Sequence, residues 1–242
     1  MFGQGPLIRG NGYDNQGDVL IDARGAAARL GATQMDRPED MEVNPVNGKV
    51  YLALTNNTRR TDRDKDTVNP RANNRWGHII EIAEDEGDHT STKFTWEIFI
   101  LCGDGKVPAH GAFFAGYDPA KVSALACPDN IAFDSKGNLW IATDGQPGVL
   151  DINDGIYAVP TEGSERGFVR QLVSGVSGAE TASLVFNTDD TALFVSIQHP
   201  GEGGRWTINP SDLVSRWPDG RGPNKPGVVV VTKSEGSPVV GT

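Results

Sequence analysis

The chain has 242 residues, and its 32 acidic against 22 basic side chains give a formal charge of −10. That length suits one large all-β domain or two smaller ones. The negative balance argues against binding a nucleic-acid backbone or an anionic membrane surface, no apolar run approaches the roughly 20 residues of a membrane helix, and an acidic protein can still hold cations.

The opening MFGQGPLIRGNGYDNQG (1–17) has neither a basic n-region nor a hydrophobic h-region, and only AAARL (26–30) looks briefly helical. From there on the apolar segments are short and rich in β-branched and aromatic residues. VYLAL (50–54), HIIEI (78–82), FTWEIFI (94–100), LWIAT (139–143), GIYAV (155–159), ALFVSI (192–197) and VVVVT (228–232) read as strands. Turn signals at Asn47-Gly48, Lys136-Gly137-Asn138 and Asp189-Asp190 separate them, so the fold class is all-β. Polar stretches at 58–75, 102–124 and 199–226 are too long for hairpin loops. Cys102 and Cys127 form either one disulfide or two buried thiols.

An internal repeat organises these strands. PEDMEVNPVNGKVYLALTNN (38–57) lies over PDNIAFDSKGNLWIATDG (128–145), and AETASLVFNTDDTALFVSIQHPGE (179–202) is a looser third copy. In the third copy Phe186, Phe194 and Ser196 take the places of Phe133, Trp140 and Ala142. A β-propeller accounts for the spacing; at about 40–50 residues per blade the chain holds four to five blades, an incomplete propeller with open edges. Glu39, Asp129 and Glu180, 90 and 51 residues apart and so close to two blades and one blade, then occupy the same position in their blades and converge near an axis. Crowded carboxylates repel one another unless a cation or shared protons intervene, and oxygen-only ligands favour hard ions such as calcium. The alternative is that each acid caps a turn. Asn56 and Asn57 end the first copy where Asp144 ends the second, either as polar ligands or as turn residues, and His78 and His199 stand as candidate ligands or acid/base groups.

Five blocks resemble a known family in sequence and in order: GATQMDRPEDMEVNPVNGKVYLALTNNTRR (31–60), NPRANNRWGHIIEI (69–82), CPDNIAFDSKGNLWIATDG (127–145), SIQHPGE (196–202) and PGVVVVTK (226–233). The family is the PhoX-type alkaline phosphatases, calcium- and iron-dependent phosphomonoesterases on a β-propeller. The resemblance implies that residues 1–242 are the C-terminal part of a single propeller domain and that Met1 is not the natural start. Arg37 would hold phosphate and Glu39 a metal, through the Arg-Pro-Glu motif. Asp129 and Glu180 would bind Ca2+, and Lys106 would contact phosphate. The Fe3+ thiolate ligand is expected upstream, so neither Cys102 nor Cys127 takes that role. Substrates would be small phosphate monoesters, the protein a monomer, and its location periplasmic or extracellular, although no export signal is visible. Competing readings are a propeller lactonase with one calcium and a non-catalytic, calcium-binding propeller fragment.

Overall fold

A computed structural model describes residues 1–202, 214–235 and 239–241; residues 203–213 of the long polar stretch lie outside the described residues. The chain forms two compact units, Met1–Met35 and Asp36–Thr242. In the first, α1 (Gln16–Ile21) and α2 (Ala23–Arg29) carry Val19 and Ala26 into a small core with Leu7 and Tyr13. Asn15 caps α1 in a reciprocal box with Asp18, satisfying amides that a short helix otherwise leaves open. The helical signal at AAARL is therefore the C-terminal half of a two-helix unit. Its first helix escapes the sequence because QGDVLI carries a glycine, Gly17, in its first turn and is only six residues long.

The second unit is built from three antiparallel sheets formed in chain order. The first holds β1 (Pro38–Val43), β2 (Val50–Leu54), β3 (His78–Glu84), β4 (Phe94–Leu101) and the short β5 (Phe113–Phe114). The second holds β6 (Pro128–Phe133), β7 (Leu139–Thr143), β8 (Gly155–Val159) and β9 (Arg170–Ser174). The third holds β10 (Glu180–Phe186), β11 (Leu193–Gln198) and β12 (Gly227–Val231). The all-β expectation holds, and all seven segments read as strands are strands: β3 runs two residues and β4 one residue past the expected end, and β11 and β12 are each shifted by one. Strand β9 went unread because Arg170, Gln171 and Ser174 interrupt its apolar pattern at a sheet edge.

The repeat is visible in the hydrogen bonds. Each leading hairpin begins its turn with an Asn or Asp whose side chain accepts backbone amides. Asn44 accepts from Val46, Asp134 from Lys136 and Asn138, and Asn187 from Ala192. Each leading strand carries a bulge, between Pro38 and Asp40, between Pro128 and Ile131, and between Ala182 and Leu184. The bulges aim one polar side chain at the next sheet: Asp40 Oδ2 accepts from Ile131 N at 2.9 Å, and Asn130 Oδ1 from Ser183 N at 2.8 Å. Asp40 thus links sheets, whereas its neighbour Glu39 is left facing outward.

Apolar packing cements the same junctions. Tyr51 meets Phe99 and Phe133 edge-on at centroid distances of 5.2 and 5.3 Å, and Trp140 meets Phe186 at 5.0 Å. Burying side chains such as Tyr51, Phe99, Trp140 and Tyr157 contributes about 1.5–3 kcal/mol each. Gly77 lets the chain pass close beneath the first sheet: at φ 78° a Cβ there would sit 2.2 Å from the Thr55 carbonyl oxygen. Cys102 and Cys127 are free and buried, which settles the alternative left by the sequence.

The stretch 58–75 is ordered by buried polar pairing. Arg60 Nε donates to Asp36 Oδ1 at 2.6 Å, with Asp36 fully buried. Asn74 Nδ2 donates to Asp36 Oδ2 at 3.0 Å and also lies 3.1 Å from His78 Nδ1. His78 Nε2 faces the Val68 carbonyl at 2.8 Å, which places the ring proton on Nε2 and leaves Nδ1 to accept from Asn74. Burial pulls the His78 pKa down to about 4, so the ring is a neutral strut.

Candidate metal centre

The register of the hairpins determines which acids meet. Pro38 pairs with Leu54 and Pro128 with Thr143, so Glu39 and Asp129 are true counterparts, each lying in a bulge just after a proline. In the third sheet Phe186 pairs with Leu193 and Thr181 with Ile197, which puts Thr181 at the proline position. Glu180 is therefore the counterpart of Arg37 and Cys127, two residues before the position that the sequence overlay gave it. The shift of two keeps the side chain on the same face of the strand. Glu180 consequently still reaches the acids of the second sheet.

Asp129, Asp144 and Glu180 each present one carboxylate oxygen, and these three oxygens lie within 4.8 Å of one another. All three side chains are half-buried. Asp144 follows β7, and its amide donates to the Cys127 carbonyl at 3.1 Å, as Thr55 does to Arg37 in the first sheet. The sequence hinted at Asp144 only as the end of a repeat. The missed signal was an acid one residue past the strand whose partner strand begins with Pro128-Asp129.

Charge accumulates here without full compensation. Burial, followed by the charges of Glu39, Asp144 and Glu180, pushes the Asp129 pKa up to about 7; Arg37 opposes them. Burial and then Asp144 raise that of Glu180, against the opposing effect of His199. Glu180 Oε2 accepts from Gln198 Nε2 at 2.9 Å and lies 3.2 Å from His199 Nε2; His199 Nδ1 in turn lies 3.2 Å from Glu202. His199 thus lies between two carboxylates, of which only Glu180 belongs to the three-oxygen cluster.

Arg37 borders the cluster. It has φ 51°, an uncommon conformation before a proline, and Cys127 repeats it at φ 51° before Pro128. Arg37 Nη2 donates to Glu39 Oε1 at 3.0 Å, and its Nη1 to Asn56 Oδ1 at 3.4 Å. Glu39 adds its charge to Asp129 but is engaged by Arg37 and stands outside the three-oxygen cluster. Lys106 is exposed on the loop after Cys102; among the described residues only its backbone amide is engaged, by Asp104 Oδ1 at 2.9 Å.

An all-oxygen, carboxylate-rich donor set suits a hard divalent cation. The thiols do not suit iron. Cys127 Sγ is buried against the Asn56 amide and the Arg75 carbonyl, and burial pushes its pKa up to about 12. Cys102 is likewise pushed up by burial.

Comparison with known proteins decides the family. The model of the family described as "Alkaline phosphatase PhoX" matches residues 4–201. The chain belongs to the PhoX family. A similar solved structure is Pseudomonas fluorescens PhoX in complex with vanadate, a transition state analogue. It has 33% identity and a TM-score of 0.73 over 94% of this chain. The chain spans 39% of that relative's length. A comparison with curated proteins finds no match. Arg37, Asp129, Asp144 and Glu180 all fall within the segment matched by the PhoX family model.

Proposed function

We infer that the chain carries the metal and phosphate site of a phosphomonoesterase that releases inorganic phosphate from small phosphate monoesters. The observation that carries this reading is the three-carboxylate cluster beside Arg37 in a PhoX-family chain whose solved relative was captured with vanadate. Its architecture is read as consecutive blades of a β-propeller, supported by three antiparallel sheets that repeat the same turn, bulge and linking side chain.

Asp129, Asp144 and Glu180 are the residues that would hold calcium, and Glu39 is close enough to act on the same charge. Calcium held there would supply positive charge to offset the negative charge that builds on a phosphoryl group. The protein's own part is positional. The Arg37 guanidinium, steadied by Glu39 and Asn56, offers a planar pair of N–H groups matched to two phosphoryl oxygens. Asp129, whose pKa burial and then the neighbouring carboxylates push up to about 7 against the opposing charge of Arg37, would give up its proton on holding a cation. Lys106 is assigned to phosphate through the family resemblance. Iron is assigned on the same ground, with its thiolate ligand outside this chain. The family's export likewise suggests a periplasmic or extracellular enzyme, acting as a monomer.

The test is hydrolysis of p-nitrophenyl phosphate by the chain with calcium, with EDTA, and with vanadate, alongside vanadate binding measured by calorimetry. Calcium-dependent hydrolysis blocked by vanadate is the expected result. A calcium-loaded chain that binds neither vanadate nor phosphate overturns the reading.

A further inference from the structure

Beneath Asp144 lies a fourth acid that the catalytic reading leaves unused. Asp154 precedes β8 and is 3% exposed. Its Oδ1 accepts from Thr143 Oγ1 at 2.8 Å, from Gly145 N at 3.0 Å and from Gln146 N at 3.0 Å; Oδ2 also lies 3.0 Å from Gly145 N. These donors flank Asp144 on both sides. Thr143 Oγ1 is itself pinned by Gly155 N at 3.0 Å. Gly145 adopts φ 125°, which a side chain would strain, and a Cβ there would stand 3.2 Å from Cys127 Sγ. The chain therefore turns sharply straight after Asp144, and Asp154 gathers the amides that this turn exposes.

The frame extends to a second ligand. Gln146 Oε1 accepts from Ala126 N at 3.0 Å, and its Nε2 donates to the Asn153 carbonyl and lies 2.9 Å from the Tyr157 hydroxyl. Ala126 leads through Cys127 and Pro128 to Asp129. One buried carboxylate thus anchors the turn bearing Asp144, and that turn anchors the approach to Asp129. Buried hydrogen-bonded acceptors of this kind orient first-contact ligands, and their loss typically weakens metal binding about 10–100-fold.

We propose that Asp154 is a positioning residue of the cation site, holding the Asp144 turn and, through Gln146, the Asp129 segment at the spacing that a divalent ion requires. The proposal rests on the cation-site reading above and goes beyond it in assigning a residue that touches no ligand. Its mechanism is hydrogen bonding to the turn. Asparagine at 154 keeps the Oδ1 acceptor that takes three of the four contacts, whereas alanine keeps none.

The experiment is calorimetric titration of the full chain with calcium chloride alone, well below the melting temperature, for wild type, Asp154→Asn, Asp154→Ala and Thr143→Val, with melting curves in EDTA. Calcium affinity is expected to fall about 10–100-fold in Asp154→Ala, to stay within several-fold of wild type in Asp154→Asn, and to fall about 5-fold in Thr143→Val. Thr143→Val keeps the test available should the alanine variant not fold. A folded Asp154→Ala, or Thr143→Val in its place, that melts lower yet binds calcium like wild type overturns the proposal, because the role is then structural only. Asparagine as damaging as alanine overturns it as well, because charge rather than hydrogen bonding then carries the effect. A wild-type chain that binds no calcium is a different result: it removes the cation-site reading itself, and the proposal with it.

Discussion

Glu81 and Asp129 are acids on strands of neighbouring sheets, each withdrawn from water, and the protein treats them in opposite ways. Glu81 is surrounded by protein donors. Lys49 Nζ lies 2.6 Å away and Arg166 Nη2 3.1 Å, the Tyr51 hydroxyl donates a very short hydrogen bond, and Arg166 also bridges to Glu97. Burial by itself would push the Glu81 pKa up, but hydrogen bonds from Lys49 and Tyr51, with the charge of Arg166, outweigh it and hold it below the ordinary carboxylate value. Asp129 faces acids, and its nearest guanidinium already serves Glu39. The first arrangement completes itself within the chain and ties the first sheet to the second. The second is left incomplete in a way that a cation from solution would complete.

Removing an acid should therefore have opposite consequences in the two places. Glu81→Ala removes the acid shared by Lys49, Arg166 and the buried Tyr51 hydroxyl, leaving Arg166 with Glu97 and Lys49 with the more distant Glu162. It should cost about 2–3 kcal/mol of stability, the partial exposure of Lys49 and Arg166 keeping it below the loss for a fully buried pair. Denaturant unfolding checks this, and calcium affinity should not change. Asp144→Asn should do the reverse, weakening calcium about 10–100-fold in calorimetry, roughly 1.4–2.7 kcal/mol, while leaving the melting temperature in EDTA equal to wild type or higher. A lower melting temperature in EDTA would contradict the repulsion inferred for this cluster.

The pH dependence of the cation-free chain sharpens the same contrast. The folded pKa of Asp129, about 7, lies above its ordinary 3.8, so its contribution to stability is full below about pH 4 and lost as pH rises through 7. Allowing for solvent screening of a half-exposed group, the loss is about 1 kcal/mol, or roughly 2–4 °C in melting temperature. Melting curves in EDTA from pH 4 to 8 should show it, and saturating calcium should flatten the slope. Glu81, held low, predicts loss of stability in the opposite direction, as pH falls through its depressed value.

Smaller effects separate the candidate phosphate residues. Arg37→Lys keeps charge but loses the planar pair of N–H groups, and should weaken vanadate binding about 10-fold, with little change in calcium affinity. Lys106→Ala, on an exposed loop, should move stability by less than about 0.5 kcal/mol. If Lys106 contacts phosphate as assigned, vanadate affinity falls in that variant, and an unchanged affinity removes it from the site.

Much of this was legible in the residues. Strands β2, β3, β4, β7, β8, β11 and β12 are short apolar runs bounded by turn residues, a pattern fixed by local sterics and burial. The Asn or Asp at each hairpin turn was readable for the same reason. So was the pairing of Glu39 with Asp129, because the two copies share Pro38 and Pro128 as a landmark. The third copy lacks that proline, and Glu180 was overlaid two residues from its structural position. Its membership of the cluster survived because alternation along a strand repeats every two residues.

What the sequence by itself determined was local: the all-β class, the repeat, the acidic residues at its strand ends and the arginine beside them. Tertiary structure decided which of those acids meet. Bulges turned Asp40 and Asn130 towards the next sheet and left Glu39 engaged by Arg37, and the third hairpin brought Glu180 within reach of Asp129. Asp144 and Asp154 were ordinary turn acids until the sheets packed. Distances between residues tens of positions apart depend on how bulged, twisted strands pack against one another, and no local preference encodes that.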